Sequence, residues 1–326
     1  MKRRSFIQLS SAATIPMLIN GIPVGAVARN SFLDFVNPDN DRILVLIQMT
    51  GGNDGLNMVL PLDQYPNLDI ARNKILIKET LGLKLRDDLA LHPSMGSLKT
   101  VFDAGKLRLI QSVGYPNQNR SHFRSTDIWT SGSSAEKMEP RGWLGRYFYN
   151  DHASFPGGYP NSDFPDPLAI TIGSLVSQTC QGPVANFSLA INDPATMAIL
   201  EEPEFATNIP STNYGNELKY LMDTFKQTND YTDVIKDAFD AAGGSIATTG
   251  NPLLDQLNIV AQLIKGGMKT KVYVVSIGGF DTHSAQCDPD DHEIGAHATL
   301  LQRVSDAIAG FQSEIEKSGN EKELLE

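Results

Sequence analysis

Short aliphatic runs punctuate the chain, and residues at helical spacing separate them. Ile43-Leu44-Val45-Leu46-Ile47-Gln48-Met49 has almost no polar alternation and stops at Gly51-Gly52. Such a run is the pattern of a strand covered on both faces, as in a central parallel sheet. Leu107 to Val113 predicts a second strand, Leu168 to Ile172 a third that ends at Gly173, and Lys271 to Ile277 a fourth that ends at Gly278-Gly279. Between the first two, Met95, Leu98, Val101 and Phe102 fall at helical spacing over residues 94–104. After the fourth, Ile294, Ala298, Leu301, Val304, Ile308, Phe311 and Ile315 recur every three or four positions, the apolar stripe of one long amphipathic helix. Strands alternating with helices predict an α/β domain with helices on both faces, a three-layer sandwich around a mostly parallel central sheet. Residues 182–250 break this rhythm. They are rich in Asn, Thr, Asp and Pro, with helical patches near 217–228 and 231–242, and read as an insertion or cap on the sheet.

The first 28 residues have a different character. Lys2-Arg3-Arg4 is followed by Phe6, no charge occurs from Ser5 to Ala28, and the stretch closes on Ala26-Val27-Ala28, an A-x-A cleavage pattern. Paired arginines followed by Phe resemble a twin-arginine export signal, read by a receptor rather than acting as an anchor. A membrane helix is the competing reading. Ser10, Ser11, Pro16, Asn20, Gly21 and Pro23 dilute the run, whereas a span wants about 20 predominantly apolar residues. The expectation is a signal over 1–28, handed to the twin-arginine translocase, then one domain over 29–326 that is periplasmic or secreted and has no stable membrane span.

With 41% hydrophobic and 20% charged residues over 326 positions, the composition is that of a globular protein and excludes collagen-like repeats and disulfide-dense miniproteins. The formal charge is −11, and setting aside Lys2, Arg3 and Arg4 leaves 24 basic against 38 acidic residues. A body this acidic is unsuited to nucleic acid, which is bound by neutralising phosphates. Acids are, however, ligands for hard cations. The two cysteines, Cys180 and Cys287, permit one bridge or two separate thiols, and neither has zinc-finger spacing.

Candidate chemistry gathers at the strand ends, where open α/β sheets bind ligands. The first strand runs into Gly51-Gly52-Asn53-Asp54-Gly55-Leu56-Asn57, the last into Gly278-Gly279-Phe280-Asp281-Thr282-His283. Asp281 and His283 are two apart, so an extended segment turns both to one side. Carboxylate plus imidazole is a common zinc ligand set, also usable by manganese or iron. Asn53-Asp54-Gly55 reads equally as a tight turn, and Asp281-Thr282-His283 equally as a cap or loop hydrogen bond. His297, near the start of the long helix, is a further ligand candidate. His92, His152 and His292 show no partner pattern and read as structural or surface residues. After the second strand, Arg120-Ser121-His122-Phe123-Arg124 places Ser121 at the start of a helix, where free N–H groups favour an anion. Ser121 is then a candidate nucleophile, with Arg120 and Arg124 positioned for the oxyanions of a phosphate or sulfate. Alternatively Ser121 is only an N-cap and the arginines are surface charges.

Taken together, the twin-arginine start, the Gly-Gly-Asn-Asp-Gly-Leu-Asn at 51–57, the Arg-Ser-His-Phe at 120–123 and the Gly-Gly-Phe-Asp-Thr-His at 278–283 resemble the exported domain of unknown function 1501 family. That family is assigned to the alkaline-phosphatase-like (sulfatase-like) superfamily. The resemblance implies an alkaline-phosphatase-like fold and a divalent metal (zinc, manganese or calcium) held by Asp54, Asp281 and His283, to which His297 is the candidate fourth ligand. It also implies Ser121 as nucleophile toward a small anionic ester. Family members continue past the long helix into a strand with Ser-Glu-Phe-Gly-Arg and a Thr-Asp-His-Gly motif, and neither occurs here. The resemblance therefore implies a sheet incomplete at the C-terminus. A non-catalytic envelope binding or assembly protein and an inactive fragment of a split gene are the alternatives to a hydrolase.

Overall fold

The structure, a computed structural model, describes residues 17–19, 22–24, 42–199, 209–320 and 324–325. Two compact units result, Met1–Arg42 and Ile43–Glu326. In the first, β1 (Met17–Ile19) and β2 (Ile22–Val24) pair antiparallel. Lys2-Arg3-Arg4 and Ala26-Val27-Ala28 of the expected signal lie outside the described residues. No helix among the described residues is long and apolar enough to cross a membrane.

The second unit is mixed α/β. β3 (Ile43–Met49) begins it, followed by the single-turn α1 (Gly55–Met58). β4 (Val59–Pro61), β5 (Leu83–Arg86) and β6 (Leu89–Leu91) form a small antiparallel sheet, with α2 (Tyr65–Arg72) inserted between β4 and β5. Three helices follow, α3 (Gly96–Asp103), α4 (His122–Ser131) and α5 (Trp143–Asp151). Next come β7 (Ala169–Ile172), β8 (Ser188–Ile191), α6 (Asn213–Ala241), α7 (Pro252–Lys265), β9 (Val272–Ile277), α8 (Ala296–Ser318) and β10 (Leu324–Leu325). The main sheet has the order β10-β3-β9-β7-β8, and every neighbouring pair is parallel.

Burial explains the uniform apolar runs. On β9, Tyr273, Val275 and Ile277 join the main core, and Val272 and Val274, on the opposite face, are buried as well. A strand covered on both sides has no polar face to display. α7 packs on β7 and β9, and α8 packs against α7 and α3. The stripe along α8 supplies Leu301, Val304, Phe311 and Ile315 to that core.

Two expectations are corrected. Leu107 to Val113 forms no strand. Leu107 and Leu109 lean on the core while Ile110 and Val113 are about four-fifths exposed, and the position beside β3 is taken by β10. An apolar run becomes a strand only where a neighbour offers a hydrogen-bond ladder. Nor is 182–250 an insertion or cap. Ser188–Ile191 is the edge strand of the main sheet, and the two helical patches are one 29-residue helix, α6. Tyr231, Ile235 and Phe239 of α6 are part of the main core.

Candidate functional site

β3 and β9 lie side by side in register from Leu44 opposite Val272 to Met49 opposite Ile277. Their carboxyl ends therefore emerge together. The Thr50 N–H donates to the Ile277 carbonyl (2.9 Å), and the Phe280 N–H donates to the Thr50 carbonyl (3.3 Å). Gly51 has φ +114, and a Cβ there would sit 2.6 Å from the Asp281 nitrogen. At Gly52 a Cβ would sit 2.8 Å from Cε1 of His122. The glycine pair is thus what lets the β3 turn, the β9 turn and the start of α4 approach one another.

At this meeting point Asp281 Oδ1 faces two imidazoles. His122 Nε2 is 3.0 Å away and His283 Nε2 2.8 Å. Burial raises the Asp281 carboxyl, but the hydrogen bonds from His122 and His283 outweigh it, so the group sits below the usual carboxylate range. With Asp281 as acceptor, each ring donates through Nε2–H. His283 has φ +45, a left-handed conformation that costs energy for a residue with a Cβ. All three side chains are solvent-accessible.

Ser121 adjoins this cluster through the chain, immediately before His122. It is the N-cap of α4 in extended conformation, but its side chain makes no capping hydrogen bond. Its N–H donates to Asn119 Oδ1 (2.8 Å), and its carbonyl accepts from the Ser125 N–H (2.9 Å). Arg120 is exposed. Arg124 turns away from the oxyanion role. Its Nη2 donates to the carbonyls of Ala135 (3.0 Å) and Lys137 (2.8 Å), fastening the loop after α4 back onto the helix.

Asp54 and His297 belong to a second, buried network rather than to the Asp281 cluster. Asp54 caps α1, its Oδ1 accepting from the Asn57 N–H (3.3 Å). Its Oδ2 accepts from Gln286 Nε2 (2.5 Å) and forms an ion pair with Arg72 at the end of α2. His297 Nε2 bonds Asn53 Oδ1 (2.9 Å), and its ring meets those of His92 and Phe280 edge-on, at 6.1 and 6.3 Å. A carboxylate engaged by a guanidinium, an amide and a backbone N–H is a strut, so the expected ligand roles of Asp54 and His297 are not the ones their geometry serves. The expected four-ligand set thus splits in two. Among the described residues no group of three or more His, Cys, Asp or Glu is assembled to hold a metal. Asp281, His122 and His283 meet instead as hydrogen-bond partners.

His122 and His92 were not among the residues expected to act. His122 stands in the Arg-Ser-His-Phe marker, whose expected chemistry falls on Arg120 and Ser121, with Arg124 just beyond it. His92 follows β6, far from any other histidine in sequence, and only the fold sets it against His297. Cys180 is a buried free thiol that burial pushes up to about 12, which makes it inert, and Cys287 is also unbridged.

The buried network makes the fold acid-sensitive. Burial lowers His92 from 6.5 to about 4, the nearby His297 adds to this, and Asp54 opposes it. His92 accepts the Ser94 N–H at Nδ1 (3.1 Å). Because its folded value lies below its unfolded one, the unfolded chain takes up a proton first. Stability present above pH 6.5 is therefore lost as pH falls toward 4. His92 accounts for about 2 kcal/mol of this by about pH 5. Asp54, also held below its usual value, adds a loss at still lower pH; burial raises its carboxyl, but Arg72, Gln286 and His297 more than offset that. Urea midpoints between pH 7 and 5 should fall accordingly. His92→Asn, which keeps an acceptor for Ser94, should flatten the slope, and an unchanged slope would assign the acid sensitivity to other groups.

No family model, curated protein or solved structure matches the chain. The functional reading therefore rests on the geometry at the strand tips and on the sequence motifs that build it.

Proposed function

We propose that the chain is an exported, metal-dependent, hydrolase-like protein of alkaline-phosphatase-like, three-layer architecture, acting on phosphate or sulfate esters. The observation that carries the reading is the Asp281 carboxylate oxygen flanked by Nε2 of His122 and His283 at 3.0 and 2.8 Å, at the carboxyl edge of the central strands and next to Ser121. Once the Nε2 protons are lost, one carboxylate and two imidazoles form a three-donor set. These are ligand types that a catalytic zinc site with an open position uses and that manganese accepts, and the three side chains would have to turn from their mutual hydrogen bonds toward an ion to serve as its ligands. The set does not fit calcium, which wants six to eight oxygens. The strained backbone of His283 supports the reading, because such outliers cluster where function holds a side chain in place.

In this assignment Asp281, His122 and His283 would hold the ion, which when bound would supply positive charge to polarise the ester and favour a deprotonated hydroxyl. Ser121 is the attacking group. Its hydroxyl makes no capping bond, and the amino end of α4 favours the negative charge that an anionic ester brings. Arg120 is exposed beside it and binds the ester's oxyanions.

The test loads the purified chain with zinc or manganese and assays aryl phosphates and aryl sulfates. Ser121→Ala should keep its metal and lose turnover. Equal turnover in wild type and Ser121→Ala would overturn the chemistry. A chain that retains no metal and shows no turnover would favour the non-catalytic envelope-binding alternative.

A further inference from the structure

A cavity of about 190 Å³ lies under α6, against the residues that lead into β7 and β8. One wall is apolar, with Phe155, Leu168, Phe187 and Leu189. The other is a stripe of α6, with Thr224, Gln227 and Tyr231, spaced three and four apart and hence on one helix face. None of the lining side chains carries a charge.

The polar groups of this cavity divide into two kinds. Asn186 donates to the Ser177 carbonyl and accepts from the Ser188 N–H, Ser188 Oγ pairs with Thr171, and Thr228 Oγ1 donates within α6. By contrast Thr224 Oγ1 is buried without a hydrogen-bond partner, and the Gln227 and Tyr231 side chains lie close enough to interact with each other but form no well-aligned hydrogen bond. Gln227 is 7% exposed and Tyr231 2%. An unmatched buried polar group costs about 1–3 kcal/mol, so one orphaned hydroxyl and a poorly matched amide–phenol pair on a single stripe of the cavity lining call for an explanation.

We propose that this cavity binds a small neutral molecule, about one six-membered ring in size, with apolar faces and a carbonyl or hydroxyl on one edge. Gln227 Nε2 donates to that oxygen, and the Tyr231 and Thr224 hydroxyls complete the polar edge. Phe155 and Phe187 cover the ring faces. The size follows from the volume: a cavity of roughly 150 Å³ accepts benzene, and 190 Å³ adds room for one substituent. Neutrality follows from the lining, since a buried charge without a partner is strongly disfavoured. Burial also pushes the Tyr231 phenol up, so it stays protonated and able to donate. The cavity adjoins the amino ends of β7 and β8, whereas the Asp281 cluster sits at the carboxyl ends of β3 and β9, so the inference is independent of the proposed hydrolase reading.

The probes are benzamide and phenol, with toluene as the control lacking a polar edge and benzoate as the charged control. Binding to the full chain is followed by ligand-observed NMR and calorimetry. Benzamide or phenol should bind saturably, toluene and benzoate about tenfold or more weakly. Gln227→Leu should weaken benzamide about tenfold. Val176→Trp is a rim change at a residue 44% exposed, so it spares the core and should block entry. Absence of saturable binding by both polar probes, meaning ordered water alone satisfies the stripe, overturns the proposal. So does toluene binding as tightly as benzamide, or unchanged binding in Val176→Trp.

Discussion

Asp54→Ala should lower the unfolding free energy by about 3–4 kcal/mol, a large share of the roughly 5–15 kcal/mol typical of a domain. The cause is Arg72 rather than Asp54 itself. The two side chains are only 16% and 12% exposed, and among the described residues Asp54 is the one acceptor given to the Arg72 guanidinium, whose Nε already lacks a partner. Removing the carboxylate leaves a mostly buried cation unpaired, and also removes the cap of α1 and the partner of Gln286. Two further variants separate these contributions. Asp54→Asn keeps a neutral acceptor for the Asn57 N–H and should fall between wild type and Asp54→Ala. The double variant Asp54→Ala/Arg72→Met removes the stranded charge and should recover most of the loss, since replacing both members of a buried pair is commonly near neutral. Urea unfolding of the four proteins reads this directly. A double variant no more stable than Asp54→Ala would show that capping and the Gln286 bond dominate.

Which features the sequence made legible follows from how local their causes are. β7 and β9 could be read because a strand buried on both faces writes its burial into consecutive residues, as in Val272 to Val275, and β3 carries the same aliphatic run although only Ile43 and Val45 are fully buried. The stripe of α8 could be read because one face of a long helix repeats its partner's demands every three or four positions. Leu107 to Val113 carries the same aliphatic signal, yet whether it pairs depends on what occupies the edge of β3, and no residue within the run encodes that. β8 failed in the opposite direction. Ser188-Leu189-Ala190-Ile191 is too short and too weakly apolar to stand out, and its place is set by the ladder that β7 offers.

The site divides in the same way. The convergence of the 51–54 and 278–283 turns was legible, because Gly-Gly after a buried strand is a local statement about a tight backbone approach. The assignment of partners was not. Asp54 and Asp281 stand in similar positions after similar strands, yet one faces Arg72 from α2 and the other faces His122 from α4. Those partners arrive from segments 18 residues downstream in the first case and 159 residues upstream in the second, so only the folded chain could sort the two acids into a strut and a candidate ligand.

That sorting gives the second large prediction, on the proposed chemistry rather than on stability. Asp281→Ala should lower metal affinity and metal-supported ester turnover at least about a hundredfold, because outer-shell partners alone are worth 10–100-fold and Asp281 is assigned as a direct ligand. Its effect on the urea midpoint should be slight, since the cluster is open to solvent and contributes nothing to the core. Asp54→Ala should show the reverse weighting, a lowered midpoint with metal binding retained in the folded fraction. Asp281→Asn is the sharper variant. It preserves an acceptor for both Nε2–H groups, so the turn and the rings stay in place, but it removes the charge that makes the oxygen a good ligand. Metal titrations and turnover measured on wild type, Asp281→Ala, Asp281→Asn and Asp54→Ala therefore separate a ligand from a strut. Full metal affinity in Asp281→Asn would mean that the Asp281, His122 and His283 cluster is only a hydrogen-bonded latch between the β9 turn and α4, and the hydrolase proposal would fall with it.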